Sequence, residues 1–265
     1  MATTPHDLAR ELAVAQSAAR AAGAYLAQRL GSARVQVYKA ARDAQLDVDL
    51  GAEALLLDAI RSAFPDDAIL SEEADPPGET AQRQWIIDPL DGSFNFQDGS
   101  SLFGVAIALR LDGATKLGVI YLPMTDEMYT AIQGQGAFCN GEPLRVSETP
   151  QISQALVHVS DFAVTGKPQD NTQRLQVMTS LANEVGRVRM VGTAAGDFGW
   201  LASGRADGLI MYSLRSWDIE AGALLVAEAG GTVTRETMPN GKDVYVGGNR
   251  HLHRDLVALL SERRA

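Results

Sequence analysis

The chain has 265 residues and only one cysteine, Cys139. That count excludes an internal disulfide and a zinc site built on several thiolates. Only four histidines are present, and they are scattered, which argues against an imidazole-based metal site. Positive charge is also short: 23 Lys and Arg face 33 Asp and Glu, for a formal net charge of −10. A surface this acidic argues against a nucleic-acid partner, which would want a basic face. It does not argue against phosphorylated substrates, because a bound cation inverts the local charge. No run approaches the roughly 20 apolar residues that span a bilayer. The start, "MATTPHDLAR", lacks the basic residues and apolar stretch of a signal peptide. The expectation is a soluble cytoplasmic protein with no membrane partner.

What the chain does have is ordinary for a globular protein: 46% hydrophobic and 21% charged residues. Its length is ample for a continuous core. A single domain over 1–265 is expected, in two intimately packed halves of about 1–146 and 147–265. Ala-rich residues 4–30 carry Leu8, Leu12, Ala15, Ala19 and Ala22 at helical spacing. A second helix fits 50–64, with Asp49 as its N-cap and Pro65 beyond its end. "DAIL" (67–70) and "QWIID" (84–88) read as short strands around a polar loop, "EEADPPGET". From Phe103 apolar runs alternate with turns, including Asp112-Gly113 and Asn140-Gly141, which predicts an antiparallel sheet. After about Ser147 strand-like and helix-like segments alternate, which favours an α/β half. The helix there over 218–231 would have Asp218 as its N-cap.

Four acidic places end an apolar run or begin a helix: Asp43, Asp47 and Asp49; Glu72 and Glu73; Asp88 and Asp91; and Asp218. Strand ends are where α/β proteins gather their sites. Hard cations such as Mg²⁺ take carboxylates, backbone carbonyls and waters as ligands. Singly, each place has a plainer reading. Asp49 and Asp218 read as caps, Glu72-Glu73 as a solvated loop end, and Asp88-Pro89-Leu90-Asp91-Gly92 as a turn. Spacing alone does not bring them together.

The stretch "WIIDPLDGSFNF" (85–96) resembles the D-P-[IL]-D-G-[ST]-x-N-F signature of the inositol monophosphatase family. "AILSEE" is similar to that family's strand ending in a Glu pair, and "GVIYLPMTDEMYTAIQGQGAFCNGEPLRVS" to its central hairpin segment. "VGTAAGDFGWLASGRAD" resembles its G-[ST]-A-A segment and the following helix. "SWDIEAGALLVAEAGG" resembles its W-D-x-x-A-[GA] signature. The resemblance runs in order over most of the chain.

It implies a layered αβαβα sandwich of the sugar-phosphatase type, with an antiparallel sheet in the first half and a mixed sheet in the second. It also implies a Mg²⁺-dependent, lithium-sensitive phosphatase using two or three ions, in a homodimer. The positions matching its metal ligands are Glu72, Asp88, the Leu90 carbonyl, Asp91 and Asp218. Glu72 would hold the first ion with Asp88 bridging, and Asp88, Asp91 and Asp218 the second. Asp49 and Ser93 match the groups that, with Glu72 in the catalytic set, help activate the attacking water. Gly92 and Ser93 match the phosphate-receiving turn. Gly192, Thr193 and Ala194 match a substrate-contact segment, with Asp91 and Asp218 also against the substrate.

The chain departs from the family pattern in two places. The usual D-x-V-T-x-x-D reads "DAQLDVD" here, with Gln45 and Leu46 in place of Val and Thr, while Asp43 and Asp49 keep their spacing. Seven residues before Asp218, where inositol monophosphatases carry a Glu for inositol hydroxyls, stands Met211. A thioether is a poor partner for hydroxyls. Arg215, close by, reads either as a contact for a polar or anionic leaving group or as a solvated surface arginine. The expected reaction is hydrolysis of a small phosphate monoester, of the inositol-1-phosphate or related polyol type. Alternatives within the superfamily are 3′-phosphoadenosine 5′-phosphate, fructose 1,6-bisphosphate and histidinol phosphate. An alternative of another class is a non-catalytic regulatory protein that keeps the fold.

Overall fold

The computed structural model describes residues 7–32, 35–40, 43–73, 81–163 and 168–261. In chain order the first half contains α1 (Ala9–Ala27), β1 (Val35–Ala40), β2 (Asp43–Leu46), α2 (Asp47–Ala63), β3 (Ala68–Ser71) and β4 (Arg83–Asp91). It continues with α3 (Ser93–Gln97), β5 (Gly104–Leu111), β6 (Ala114–Leu122), β7 (Glu127–Ile132), β8 (Gly136–Cys139) and β9 (Glu142–Pro143). The second half, after a 3-10 turn at Ile152–Gln154, contains β10 (Leu156–Val159), α4 (Pro168–Glu184), β11 (Arg187–Arg189), α5 (Ala194–Ala202) and β12 (Gly208–Met211). It ends with α6 (Ser216–Glu228), β13 (Thr232–Thr237), β14 (Asp243–Gly248) and α7 (His253–Ser261).

Two large sheets result. The first runs β3-β4-β5-β6-β7-β8-β9, and the second runs β11-β10-β12-β14-β13. Period-two alternation sorts side chains to opposite faces of each sheet. On β5, Val105, Ile107 and Leu109 join a core with α1 and α2. Ala106 and Ala108, between them, join a second core with α5 and α6. On β12, Leu209 and Met211 face that same second core, while Ile210 faces a third core shared with α4 and α7. The layers are therefore α1/α2, first sheet, α5/α6, second sheet, α4/α7, which is the αβαβα sandwich expected.

Small residues set how closely the middle helices lie on the first sheet. A Cβ at Gly118 of β6 would stand 2.7 Å from the Ala221 carbonyl oxygen of α6. A Cβ at Gly222 of α6 would stand 2.2 Å from the Phe198 ring of α5. α6 is also tied down by charge. Glu220 pairs with Arg110 of β5 and accepts from the Thr115 hydroxyl at 2.7 Å. Glu228 accepts from the Gly134 and Gly136 N–H groups, each at 2.8 Å.

Several expectations change. The first sheet is not wholly antiparallel: β3 pairs parallel to β4, because a long connection rather than a hairpin joins them. α1 begins at Ala9 rather than near residue 4, and residues 1–6 lie outside the described residues. Most of the "EEADPPGET" loop, 74–80, lies outside them too. Neither Asp49 nor Asp218 is an N-cap. The caps are Leu46 and Arg215, and each aspartate is the third residue of its helix. The supposed turn at 88–91 is the end of β4. The antiparallel ribbons β1–β2 and β13–β14 had no clear apolar signal, and β13 is a mostly polar "TVTRET".

Replacing Gly118 with Ala is expected to push α6 off β6, because the obstructing atoms are backbone. The expected cost is about 1–3 kcal/mol, the range for overpacking a core. That is a fall of roughly 2–10 °C in melting temperature, read by calorimetry. An unchanged melt would contradict the close approach described.

Candidate metal centre

β4 is buried from Gln84 through Asp91, as suits a strand covered on both faces. Asp88 pairs with Ala106 and Asp91 with Gly104, so β4 advances three residues while β5 advances two. That is a β-bulge. In an unbroken strand two residues three apart face opposite sides. The extra residue lets Asp88 and Asp91 turn to one side. There they meet Asp218 at the start of α6, with one carboxylate oxygen from each within 4.8 Å of the others. The Asp88 carboxylate accepts from the Leu90 N–H at 3.1 Å, which holds the bulge from inside.

Asp91 is the most constrained of the three. Its Oδ1 accepts from the Ala194 N–H at 3.0 Å and its Oδ2 from the Ala195 N–H at 2.9 Å. The Thr193 hydroxyl donates to Oδ2 as well. Thr193 is the N-cap of α5, and its oxygen also accepts from the Gly196 N–H at 3.1 Å. A carboxylate from β4 therefore sits on the positive end of α5. Gly104 permits this: a Cβ there would stand 2.9 Å from the Ala195 Cβ. Gly92 turns the chain out of β4 at φ +83°, where a Cβ would stand 2.8 Å from the Leu102 carbonyl.

Glu72 follows β3, and its N–H donates to the Ile87 carbonyl at 3.2 Å, which sets it beside Asp88. Its carboxylate accepts from Arg215 at 3.2 Å, and Arg215 itself is exposed at the rim. Asp218 accepts from the Ser213 hydroxyl. Asp49 is buried, and its Oδ2 accepts from the Leu46 N–H at 2.7 Å. It stands at the start of α2 directly after β2, which lies against α3, where Ser93 is the first residue. Thr193 and Ala194 donate to Asp91, while Gly192, at φ +73°, packs beside Asn95. Met211 is 2% exposed and packs among apolar side chains.

Two residues important here had no role assigned to them from the sequence. Asn95 donates to the carbonyls of Leu102 and Val191, at 2.8 and 2.7 Å, and so stitches α3 to the segment before α5. Ser213 fixes Asp218. Asn95 lies inside the quoted motif, but its partner Val191 is 96 residues away.

The electrostatics of the cluster are adverse without a cation. Burial pushes Asp88 well above the usual carboxylate range, and the charges of Glu72, Asp91 and Asp218 push it further. Burial raises Asp91 to about 6 against the pull of its Thr193, Ala195 and Ala194 donors. Asp218 rises to about 6 through burial and the Asp91 charge, opposed by Ser213 and Arg215. The donors are all carboxylate oxygens, which fits a hard divalent cation and no soft one.

The raised values fix a sign. In the folded state these groups hold protons to higher pH than in the unfolded chain. Their contribution therefore favours folding at low pH and is lost as pH rises from about 4 through about 6. A bound divalent cation would offset that loss. Mg²⁺ added to chelator-treated protein is expected to raise the melting temperature more at pH 7.5 than at pH 5. Equal gains at both pH values would contradict this electrostatic reading.

Comparisons with known proteins show the family of the chain. The family model described as the inositol monophosphatase family matches residues 7–264. A curated relative, Nus factor SuhB of Escherichia coli (strain K12), is 38% identical over 241 residues, covering 90% of this chain and 89% of its own. The crystal structure of extragenic suppressor protein suhB from Bartonella henselae superposes with a TM-score of 0.88 at 33% identity, covering 96% of this chain and 99% of the other. An IMPase from Thermotoga maritima superposes with a TM-score of 0.85 at 30% identity, covering 95% and 96%. The carboxylate cluster thus lies in a chain similar along nearly its whole length to these proteins, and the chain belongs to the inositol monophosphatase family.

Proposed function

We propose that the protein is a Mg²⁺-dependent phosphomonoesterase acting on a small phosphorylated substrate. The observation that carries this reading is the convergence of Asp88, Asp91 and Asp218 within 4.8 Å at the α5 N-terminus. Hydrolysis of a phosphate monoester is very slow unaided, so a large barrier must fall. Divalent cations, when bound, supply charge to neutralise phosphate oxygens and to acidify water. Glu72, Asp88, the Leu90 carbonyl, Asp91 and Asp218 would hold them. The rest of the task falls to the chain. Asp91, fixed by three donors, keeps its geometry as substrate enters and leaves. Asp49 and Ser93 orient the attacking water. The N–H groups of Gly92 and Ser93 receive the phosphate. The segment at Gly192, Thr193 and Ala194 acts on the substrate mainly through Asp91. Two- or three-ion occupancy, a homodimer and one catalytic unit over 1–265 belong to the same proposal.

The leaving group is read differently from that of an inositol phosphatase. Met211 stands where a hydroxyl-binding Glu is expected, and it is packed into the core. Myo-inositol phosphate is therefore disfavoured. A substrate whose alcohol is read by Arg215 and the 213–215 rim is preferred. Candidates are fructose 1,6-bisphosphate, 3′-phosphoadenosine 5′-phosphate and histidinol phosphate.

A second reading, a regulatory protein that keeps the fold, draws support from one observation: curated relatives at 38% identity are called Nus factors. The two readings separate in one assay. Purified protein given those substrates and inositol-1-phosphate is expected to release phosphate only with Mg²⁺, and Li⁺ is expected to suppress it. Asp88→Asn is expected to lower kcat/KM at least about 100-fold, the upper range for losing even a group that only orients a metal ligand. Its melt in chelator should not fall, because a buried like charge is removed. Absence of turnover on every substrate would favour the regulatory reading.

A further inference from the structure

A cavity of about 420 Å³ lies outside the carboxylate centre, between α4, the end of β12 and the β13–β14 ribbon. Arg174, Tyr212, Leu214, Met238, Lys242 and Asp243 line it. Its size suits a small organic ligand. Arg174 and Lys242 bring positive charge. The facing Asp243 is answered within the protein by Arg235, at 2.8 Å, and by the Thr237 hydroxyl, at 2.7 Å. The Arg174 guanidinium lies 4.3 Å over the Tyr212 ring and donates to the Asp161 carbonyl. Tyr212 is 7% exposed, and its hydroxyl is a buried polar atom without a hydrogen-bond partner. That hydroxyl is closed off from solvent, so it is the ring that Tyr212 offers the cavity. Leu214, by contrast, is an exposed apolar side chain beside these charges.

Residues 212–215 connect this cavity to the centre. Tyr212 and Leu214 line the cavity, while the residues between and after them serve the carboxylates: Ser213 donates to Asp218 and Arg215 to Glu72. One short segment thus touches a ligand-sized space with alternate residues and the metal-holding groups with the others.

We propose that this cavity is a second ligand site, taking a small organic anion whose carboxylate or phosphonate-like head meets Lys242 and Arg174 and whose apolar body lies on Tyr212 and Leu214. Occupancy shifts Ser213 and Arg215 and so changes turnover at the carboxylate centre. Only this last effect rests on the proposed phosphatase reading.

The test titrates the full chain, with Mg²⁺ present, using benzoate and phenylphosphonate, with benzyl alcohol as the neutral control, followed by calorimetry. Saturable binding of the anions but not of the alcohol is expected. Lys242→Ala should weaken it roughly tenfold or more, as loss of a charged hydrogen bond does. Leu214→Ser should also weaken it without lowering the melting temperature, because Leu214 is exposed and offers apolar surface to the ligand alone. Saturating benzoate should change kcat or KM for phosphoester hydrolysis in the wild type and not in Lys242→Ala. The proposal is overturned if neither anion binds saturably, if both variants bind as the wild type does, or if Lys242→Ala is inhibited equally by benzoate. Should the wild type hydrolyse no phosphoester, the binding arm alone decides the site, and only the phosphatase reading fails.

Discussion

The Asp91 carboxylate is part of two elements at once. By sequence it ends β4, and by hydrogen bonding it begins α5, receiving two backbone N–H groups and the Thr193 hydroxyl. A carboxylate at a helix N-terminus is favourable by roughly 0.3–1 kcal/mol, and up to about 2 where partly buried. The structural consequence is larger than that figure. The contact fixes the middle helical layer against the strand that carries Asp88, across 103 residues of sequence. Gly104 and Gly92 leave the room for it, and Asn95 stitches the neighbouring segment in place.

The middle layer must also bring α6 to the same spot, and it does so under electrostatic strain. Asp218 arrives beside Asp88 and Asp91 because Glu220 and Glu228 pin α6 along its length and Gly118 lets its backbone lie on β6. The result is a set of carboxylates that repel one another in a buried place. A structural charge pair elsewhere in the chain, Arg110 with Glu220, is neutral in sum. The centre instead has an excess of negative charge, which Arg215 partly answers from the rim. Burial of unpaired charge is costly unless a partner is bound. A cation bound there would offset this cost, and folding and cation binding would then be linked.

Much of this was legible in the sequence, for a physical reason. Groups able to hold a metal must be of fixed chemical type, and the turns presenting them are short, so the candidates Glu72, Asp88, Asp91 and Asp218, with the Gly92 turn, stand in compact motifs. The alternation along β5 and β6 is likewise local. What was not legible is what depends on distant partners or on a local irregularity. The bulge after Asp88 looks like a turn in sequence, because Pro89 and Gly92 suit both. Asp49 and Asp218 look like caps, yet both sit one turn inside their helices, where side chains can reach back past the helix start. The parallel pairing of β3, the Glu72–Arg215 contact and the role of Thr193 toward Asp91 each join residues that no short pattern links. β13, polar in alternation and at a sheet edge, has no apolar signal to read.

The central claim is that Asp88, Asp91 and Asp218 jointly hold a divalent cation at the α5 N-terminus. Crystals grown with Mn²⁺ and measured for its anomalous scattering test it most directly. The account predicts a peak within coordination distance of all three carboxylates, lost or displaced in Asp218→Asn. A cation found elsewhere, with the three carboxylates uncoordinated, would contradict it.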